Sequence, residues 1–434
     1  MRMKVKTRAV RLYGKNDLRL EEFELPEINE NEILAKVITD SICMSSYKAA
    51  KQGADHKRVP ADVATNPVII GHEFCGEIVE VGAAVPGGFK PGDRFTIQPA
   101  LNYKGSLAAP GYSYQYIGGD ATYIIIPPEV METGSLLPYS GDAFFYGSLA
   151  EPMSCIVGAF HANYHTKAGS YVHEMGIREG GSMAILAGAG PMGLGAIDYA
   201  VHCDRKPSLL VVTDIDDERL KRAASIITPE NAAENGVKLV YINTKTTPDA
   251  EAYMRSLTPS GAGFDDIFVF APVRAVVESA DRLLARDGCL NFFAGPTDPE
   301  FSAQLNFYNV HYSSTHIVGT SGGNTDDMRE AIAMMESGRI NPAAMITHIG
   351  GLGAVVDTTL RLPEIPGGKK LIYTEIDLPL TAIADFKRLS EDGGENAHLF
   401  VALADIVEKN GGLWCAEAEK FLLTHAKKKG KMDR

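Results

Sequence analysis

The sequence predicts an α/β protein of two domains, one rich in β-strands and one built around a doubly wound parallel sheet of six strands. The chain has 434 residues, more than one hydrophobic core usually serves, and 45% of them are hydrophobic. From residue 183 onward, short apolar runs alternate with longer stretches of helical period, as expected when helices cover both faces of a parallel sheet. Before that point glycine, proline and β-branched residues are frequent, which favours strands and turns.

The β-rich domain is expected to comprise residues 1–155 and 325–434. Residues 1–10 alternate basic and small apolar side chains and read as an edge strand rather than as a signal peptide. Further strand-like runs lie at 33–39, 123–126, 345–349 and 370–373. Because two of these runs follow the second domain, we expect the end of the chain to complete the first. From about residue 380 the chain reads as helical and charged.

The second domain, residues 156–324, contains six apolar runs separated by amphipathic segments such as 217–227 and 273–286. The expected strands are 183–187, 209–213, 238–242, 266–270, 289–293 and 316–319. Six strands with helical crossovers are typical of the doubly wound sheets that bind dinucleotides.

The first of these strands ends at the turn Gly-Ala-Gly-Pro-Met-Gly, residues 188–193. Small residues there let the backbone approach a pyrophosphate at a helix N-terminus. Asp214 follows at the end of the second strand, where a carboxylate binds the ribose hydroxyls and repels a 2′-phosphate, so NAD is favoured. Arg219 leaves NADP possible, because an arginine can accommodate that phosphate. The candidate cofactor-binding residues are Gly188, Gly190, Pro191, Met192, Gly193, Asp214, Arg219, Ala271, Gly295 and Thr320.

A second group of polar residues lies in the β-rich domain. His72 and Glu73 stand side by side between glycines 71 and 76, Cys43 lies about thirty positions upstream, and Glu151 precedes a proline. A thiolate, an imidazole and carboxylates are a ligand set that suits zinc. Each residue alone is more readily explained as structural, but the set predicts a metal site. Zinc with one open position can prepare an alcohol for hydride departure, so the metal and the dinucleotide explain each other.

On these residues the chain resembles the medium-chain zinc-dependent dehydrogenases. The Gly-His-Glu turn, the Cys43 segment, the Glu-Pro pair at 151 and the glycine turn occur in that family's order, and the resemblance extends to about residue 370. It implies a GroES-like catalytic domain and a Rossmann dinucleotide-binding domain. It also implies a catalytic zinc at Cys43, His72 and Glu73, with Glu151 as fourth ligand or hydrogen-bonded to the zinc-bound water.

The same resemblance implies a proton relay and an assembly state. Ser45 matches the hydroxyl that relays the alcohol proton, and Lys48 stands where some relatives have a histidine at the end of the relay. Many relatives carry four cysteines that hold a second, structural zinc, but residues 96–123 contain none, so we expect one zinc per chain. Relatives are commonly dimers or tetramers, and we expect a homodimer or homotetramer.

For the substrate, the chain resembles the L-sorbose-1-phosphate reductases among these dehydrogenases, over the segments 43–48, 52–66, 319–323 and 411–414. This implies hydride transfer between NAD(H) and a sugar or polyol phosphate. Basic side chains beside Cys43, in an otherwise acidic chain, suit a phosphate, although a solvated basic loop explains them equally well. They are Lys48, Lys51, His56, Lys57 and Arg58. The alternative is a dehydrogenase of an unphosphorylated polyol, of threonine or of another secondary alcohol.

Composition and the remaining residues exclude other classes of function. The net charge of −13 with dispersed basic residues argues against nucleic-acid and membrane partners, and six scattered cysteines fit the reducing cytoplasm. A zinc-free quinone reductase would lack the ligand set, and a silent NAD-binding regulator would tolerate its loss. Cys75 is expected to point away from His72, and His161 and His165 read as helix residues without a ligand role.

Overall fold

The computed structural model describes residues 5–428 of the chain. The strands are β1 (Lys6–Gly14), β2 (Asp17–Glu24), β3 (Ile33–Ile42), β4 (Val68–Ile69), β5 (Phe74–Val81), β6 (Arg94–Ile97), β7 (Tyr123–Ile126), β8 (Leu136–Pro138), β9 (Tyr164–His165), β10 (Glu174–Met175), β11 (Ser182–Leu186), β12 (Leu209–Asp214), β13 (Lys238–Asn243), β14 (Phe264–Val269), β15 (Leu284–Phe292), β16 (His316–Val318), β17 (Ile346–Gly351), β18 (Lys369–Tyr373) and β19 (Thr381–Ala382). The α-helices are α1 (Met44–Gln52), α2 (Pro128–Glu132), α3 (Phe144–Ser148), α4 (Ala150–Ala162), α5 (Pro191–His202), α6 (Asp217–Ile226), α7 (Pro229–Glu234), α8 (Ala250–Leu257), α9 (Arg274–Leu283), α10 (Phe307–Tyr312), α11 (Thr325–Glu336), α12 (Val355–Leu360), α13 (Phe386–Glu391), α14 (Ala397–Lys409) and α15 (Ala416–His425). Among these described residues, no helix is both long enough and apolar enough to cross a bilayer.

The chain divides into two compact units. One comprises Met1–Pro152 and Ile346–Arg434, and the other comprises Met153–Met345. Residues 325–345 therefore group with the second unit, whereas the sequence placed them in the β-rich domain. The reason is that α11 is tied to its neighbours through acidic side chains: Asp327 Oδ1 lies 2.8 Å from His161 Nδ1 on α4, and Glu330 Oε1 accepts a hydrogen bond of 2.6 Å from Tyr199 Oη on α5. The division into catalytic and cofactor-binding domains stays a prediction.

Two sheets form the first unit. The larger has eight strands in the order β19-β17-β18-β3-β5-β6-β8, with β7 also paired to β3, and the smaller has the order β2-β1-β4. The predicted edge strand is wrong over its described part, because β1 is the middle strand of the smaller sheet; residues 1–4 lie outside the described residues. Val10 and Leu12 of β1 are fully buried in the core of the unit, as expected for a strand that has a neighbouring strand on each side.

The pairing of β3 with its neighbours brings the ends of strands from distant parts of the chain together on one side of the larger sheet. Nearly every residue of β3 is buried, as expected for a central strand. β3 runs antiparallel to β5, with Asp40 opposite Phe74, and antiparallel to β18, with Ile42 opposite Lys370. The end of β3 therefore lies beside the start of both partner strands. The residues just outside these strand ends are those of the candidate metal site.

The second unit contains the predicted parallel sheet. Its six strands are all parallel and follow the order β13-β12-β11-β14-β15-β16. This order reverses direction at β11, which is the doubly wound arrangement expected from the sequence. β11 and β12 are buried along their whole length, because helices cover both faces. From residue 380 to residue 428 the chain is largely helical as predicted, in α13, α14 and α15, and residues 429–434 lie outside the described residues.

Candidate metal and dinucleotide sites

Cys43 lies at the junction between β3 and α1. It follows Ile42 directly and precedes the first helical residue, with an extended backbone of φ −106° and ψ 150°. Ser45, in the first turn of α1, donates a hydrogen bond of 3.0 Å from Oγ to Cys43 Sγ. The thiol is half-buried, and a neighbouring hydroxyl thus lies against it.

His72 is buried at the turn that precedes β5. Gly71 has φ +88°, a conformation that favours glycine, and so allows the chain to turn just before the imidazole. The ring atom Nδ1 lies 3.3 Å from Ser46 Oγ, whereas Nε2 lies 3.1 Å from both Ser45 Oγ and Tyr112 Oη. Hydrogen bonds to one nitrogen orient the ring and present the other, as in histidine ligands of metals. Ser45 Oγ thus lies within hydrogen-bond distance of both Nε2 and Cys43 Sγ.

The Glu73 carboxylate is buried in an ion pair. Lys369, the first residue of β18, donates to both carboxylate oxygens, at 2.6 Å to Oε2. Ser41 Oγ donates to Oε2 at 2.5 Å, and the Glu73 amide donates to Asp40 Oδ1 at 3.2 Å. Burial alone would lower the pKa of Lys369, but the Glu73 carboxylate raises it above its usual value. Glu73 is therefore held in place by a permanent cation.

Ligand atoms of Cys43, His72 and Glu73 all lie within 4.8 Å of one another. Burial and the Glu73 charge raise the pKa of the Cys43 thiol to about 12, and burial lowers the pKa of His72 to about 4. Without a cation the thiol is thus protonated and the imidazole is neutral with a lone pair available. A metal ion would release the thiol proton and use the imidazole as it stands. The donor set and its protonation states fit zinc.

Glu151 lies in the first turn of α4 and is half-buried. It is outside the three-residue group, but its charge contributes to raising the pKa of Cys43 and of Tyr112. The carboxylate is therefore an electrostatic neighbour of the group. Its predicted role, as fourth ligand or as hydrogen-bond partner of the water, stays a prediction.

The basic loop is connected to His72 through one aromatic ring. The Tyr112 ring lies 4.7 Å from the His72 ring and 5.7 Å from the His56 ring, with which it is stacked at 8°. Arg58 Cζ lies 5.8 Å from the centre of the same ring. Burial, followed by the charges of Lys57, Arg58 and Lys48, lowers the pKa of His56. Two basic groups therefore lie one ring away from a candidate metal ligand.

Lys51, another of the basic side chains that follow Cys43, lies against a different ring: its Nζ is 5.5 Å from the centre of the Tyr47 ring. Tyr112 and Lys369 contact the candidate metal ligands, and the sequence did not single them out. Tyr112 falls in the irregular stretch between β6 and β7, and no pattern marked it. Lys369 and Lys370 open the buried strand β18, and a buried lysine is a signal that a polar or charged partner is near.

The other potential ligands lie outside the three-residue group. Cys75 is buried in β5, where an added Cβ at Gly147 would clash with its sulfur, so it packs against α3. His161 lies on α4, in ion pairs with α11. His165 was expected on the same helix, which is wrong: α4 ends at Ala162, and His165 lies in β9, bonded to Asp266.

The glycine turn of the second unit lies between β11 and α5, with Pro191 and Met192 in the first turn of the helix. A Cβ on Gly193 would lie 2.0 Å from the carbonyl oxygen of Gly188, so the close approach requires glycine. A Cβ on Gly190 would meet nothing within 4 Å, so the space before the helix N-terminus is open. An open, positively polarised helix end is where a pyrophosphate binds.

Asp214, the last residue of β12, lies beside this turn. Its Oδ2 accepts a hydrogen bond from the amide of Ala189 at 3.2 Å, and its Oδ1 accepts from the amides of Ile215 and Asp216 at 2.8 and 3.2 Å. The carboxylate is thereby fixed at the carboxyl end of the second strand, the place expected for a ribose contact. Arg219, on α6, is more than half exposed and 3.8 Å from Asp216.

The other candidate cofactor residues follow the remaining strands of the same sheet. Ala271 comes after β14, Gly295 after β15 and Thr320 after β16. Because all six strands are parallel, these residues and the glycine turn share one edge of the sheet. The Thr320 hydroxyl is buried without a hydrogen-bond partner, which fits a position that a bound cofactor completes.

Comparison with known proteins supports the same reading of both units. Residues 29–133 match the model of the alcohol dehydrogenase GroES-like domain, and residues 191–337 match that of the zinc-binding dehydrogenases. Mannitol-1-phosphate 5-dehydrogenase of Aliivibrio fischeri is 53% identical over 417 residues, 96% of this chain and 97% of its own. L-sorbose 1-phosphate reductase of Klebsiella pneumoniae is 52% identical over 420 residues, 97% of this chain and 98% of its own.

A solved structure shares the fold. The crystal structure of 2R,3R-butanediol dehydrogenase from Bacillus subtilis matches with a TM-score of 0.67 at 21% identity, covering 85% of this chain and 99% of its own. The predicted fold class, a GroES-like domain with a Rossmann sheet, is confirmed. Since two family models match and identity to two relatives exceeds half over nearly the full length, this chain belongs to the zinc-binding, medium-chain alcohol dehydrogenase family of oxidoreductases.

Proposed function

We propose that this chain transfers a hydride between NAD(H) and a sugar or polyol phosphate, interconverting L-sorbose 1-phosphate and D-glucitol 6-phosphate. The observation that carries the proposal is the position of Tyr112, whose ring contacts both His72 and the basic side chains of His56 and Arg58. A phosphate needs a charged donor such as the Arg58 guanidinium, to which a neutral His56 adds a further polar contact, and the reacting carbon needs the metal ligands. Two relatives whose names specify phosphorylated sugars or polyols support this assignment.

The proposed zinc ligands are Cys43, His72 and Glu73, with Glu151 completing the set. Bound zinc supplies a Lewis acid that favours loss of the proton from an alcohol and, in reverse, polarises a carbonyl. Without the ion, the His72 imidazole is neutral and the Cys43 thiol is protonated. Lys369 pairs with the Glu73 carboxylate. This pair limits the net negative charge of the proposed zinc site.

Ser45 is the proposed first acceptor of the alcohol proton. Its hydroxyl is 3.0 Å from Cys43 Sγ and 3.1 Å from His72 Nε2, next to two of the proposed ligand atoms. In the oxidation direction the substrate C–H bond breaks and its electron pair goes with the hydrogen to the nicotinamide, while the O–H proton passes to Ser45 Oγ. The serine proton leaves in turn toward solvent. Lys48 lies three residues on, on the same face of α1, as relay end or phosphate contact.

NAD is the proposed cofactor of the second unit. The open helix end at Gly190, the Asp214 carboxylate and the unpartnered Thr320 hydroxyl support binding of its pyrophosphate and ribose groups. A homodimer or homotetramer stays a prediction. The alternative substrate class, unphosphorylated polyols, threonine or other secondary alcohols, shares all of these features except the need for the basic side chains.

The decisive experiment compares kcat/KM of the zinc-loaded protein with NADH for L-sorbose 1-phosphate, L-sorbose and fructose 6-phosphate. A phosphate bound by charged hydrogen bonds contributes about 1.5 to 3 kcal/mol, so we expect a preference of about tenfold to more than a hundredfold for the sorbose phosphate over sorbose. Fructose 6-phosphate carries its phosphate at the end of the chain far from the carbonyl, and so tests how far from the metal the phosphate is bound.

Variants connect that preference to the loop. Arg58→Ala should lower kcat/KM for the phosphorylated sugar and leave that for L-sorbose nearly unchanged. Lys48→Ala should do the same as a phosphate contact, whereas as the relay end it should lower both values. The matched control is Lys15→Ala, because Lys15 is exposed and pairs with Asp55 beside the same loop. Equal losses on both sugars in the Arg58 and Lys48 variants, or activity on free polyols alone, would remove the phosphate from the proposal and leave the alcohol chemistry.

A further inference from the structure

Glu419 is a carboxylate buried far along the chain from the candidate metal ligands. It lies on α15, in the part of the chain beyond residue 337 that neither family model matches. Only 3% of its surface is exposed. A carboxylate is costly to bury, and it is retained only when hydrogen bonds compensate for the loss of water.

Three donors from two other segments compensate Glu419. The amides of Phe144 and Phe145, at the start of α3, donate to it at 2.6 and 2.9 Å. The Tyr373 hydroxyl, at the end of β18, donates at 2.9 Å and itself accepts from the Trp414 indole at 2.7 Å. Glu419 thus joins the start of α3 to the end of β18.

Both segments lead directly to the candidate metal centre. The Phe145 carbonyl accepts a hydrogen bond from the amide of Leu149. Helix α4 begins at the next residue and carries Glu151 in its first turn. At its other end β18 begins with Lys369, which holds Glu73. The same carboxylate therefore fixes the chain that carries Glu151 and the chain that carries the partner of Glu73.

Other contacts hold α3 against the sheet but leave its first turn to Glu419. Thr39 Oγ1 donates to the carbonyl of Phe144 at 3.1 Å, and Thr96 Oγ1 donates to that of Gly147 at 2.8 Å. Both bonds use carbonyl groups. The amides at the start of the helix have Glu419 as their acceptor, as expected for free N–H groups of a first turn.

We propose that Glu419 is a positioning residue for the candidate zinc centre, acting through α3 on Glu151. This inference rests on the zinc site proposed above. A glutamine has one acceptor oxygen, and its amide group would face the N–H groups of α3 or the Tyr373 hydroxyl. Glu419→Gln therefore keeps the size of the side chain but breaks at least one of the bonds that set the start of α3.

The test measures the zinc dissociation constant by competition with a chromogenic chelator, in the full-length protein. Changing the support of a metal ligand costs about 10- to 100-fold in affinity, and we expect a loss in this range for Glu419→Gln. The matched control is Glu417→Gln, on the same helix but exposed, which should change the constant by less than about twofold. Trp414, the only tryptophan of the chain, should shift its emission in the Glu419 variant but not in the control.

A double-mutant cycle separates positioning from a general loss of stability. In the background of Glu151→Gln, adding Glu419→Gln should change zinc affinity by less than about twofold, because the residue it positions no longer offers a carboxylate. Equal losses in both backgrounds, or no loss in the wild-type background, would overturn the inference. A wild-type protein that does not bind zinc would instead overturn the proposed function, so the two failures are distinct.

Discussion

Lys369 determines the charge balance of the candidate metal centre. A buried carboxylate and a buried thiol at one site would repel each other if both were charged, and each raises the cost of ionising the other. Lys369 supplies a cation that is itself only 6% exposed and donates to both oxygens of Glu73. Glu73 thus has a cationic partner that does not depend on a metal.

Replacing Lys369 by methionine should leave the Glu73 carboxylate buried without its cation. Breaking a buried ion pair from one side costs about 3 to 5 kcal/mol, so we expect a loss of this size in the free energy of unfolding, measured in urea with EDTA present. Added zinc should reduce the loss, because the metal supplies positive charge at the same place. Lys36→Met is the control: its pair with Glu375 is partly exposed on both sides, and a loss below about 1 kcal/mol is expected.

We expect Asp214 to determine the choice between the two dinucleotides. Its carboxylate is fixed by three backbone amides, and Asp216 and Asp217 add negative charge nearby. A 2′-phosphate brought to this place would be repelled, so NADH should bind at least about tenfold more tightly than NADPH in a fluorescence titration. Equal affinity, or tighter binding of NADPH, would show that Arg219 outweighs the carboxylate.

At the scale of elements, the turn between β11 and α5 has two glycines with opposite requirements. Gly190→Ala should fold with unchanged Tm, since its φ of −80° is allowed for alanine and its Cβ meets no atom. The added methyl group should still weaken NADH binding by about tenfold or more, because it occupies the approach of the pyrophosphate. Gly193→Ala should lower both Tm and NADH affinity. Unchanged NADH affinity in Gly190→Ala would place the dinucleotide elsewhere.

Helices α4 and α11 are joined by a histidine that should make stability depend on pH. Hydrogen bonds that His161 donates to Asp327 and Glu330 raise the pKa of its imidazole to about 9. The folded state therefore binds this proton more tightly than the unfolded chain, and the stabilisation is complete below about pH 6.5 and lost as the pH rises through about 9.

The Tm difference between wild type and His161→Gln measures this contribution. The side chain is half exposed, so we expect only about 2 to 4 °C near pH 6, falling to nearly zero by about pH 10. His398→Gln, an exposed histidine on α14, serves as control and should show no such trend. A difference that persists unchanged at pH 10 would mean that His161 stabilises by packing rather than by its charge.

For the whole molecule, we expect one zinc per chain of 46.8 kDa. Within residues 5–428, the group of Cys43, His72 and Glu73 is the one cluster of three or more such side chains whose ligand atoms converge. Elemental analysis after dialysis against a weak chelator should give one equivalent, and Cys43→Ser should give much less than one. Two equivalents in the wild type, of which one survives in the Cys43 variant, would reveal a second site.

The sequence predicted the second unit almost strand by strand. Its inner strands β11 and β12 are buried along their whole length and read as short apolar runs. The glycine turn requires small residues for local reasons, as the close approach of Gly193 to Gly188 illustrates. Local sequence thus carried enough information for this sheet. The pairing of β1 on both sides and the end of α4 before His165 depended on contacts between distant segments, and there the expectations of an edge strand and of a helical His165 were wrong.

The sequence by itself determined the chemistry available to this protein: the thiol, imidazole and carboxylates that suit zinc, and the turn that suits a pyrophosphate. These follow from residue types and short spacings. Only the tertiary structure decided how those groups are charged and supported. Lys369, Tyr112 and Glu419 are separated from their partners by 296, 40 and 275 residues, and only the pairing of strands and the packing of the last helix bring them together. Burial in that packing then keeps the Cys43 thiol protonated, by raising its pKa, and the His72 imidazole neutral, by lowering its pKa.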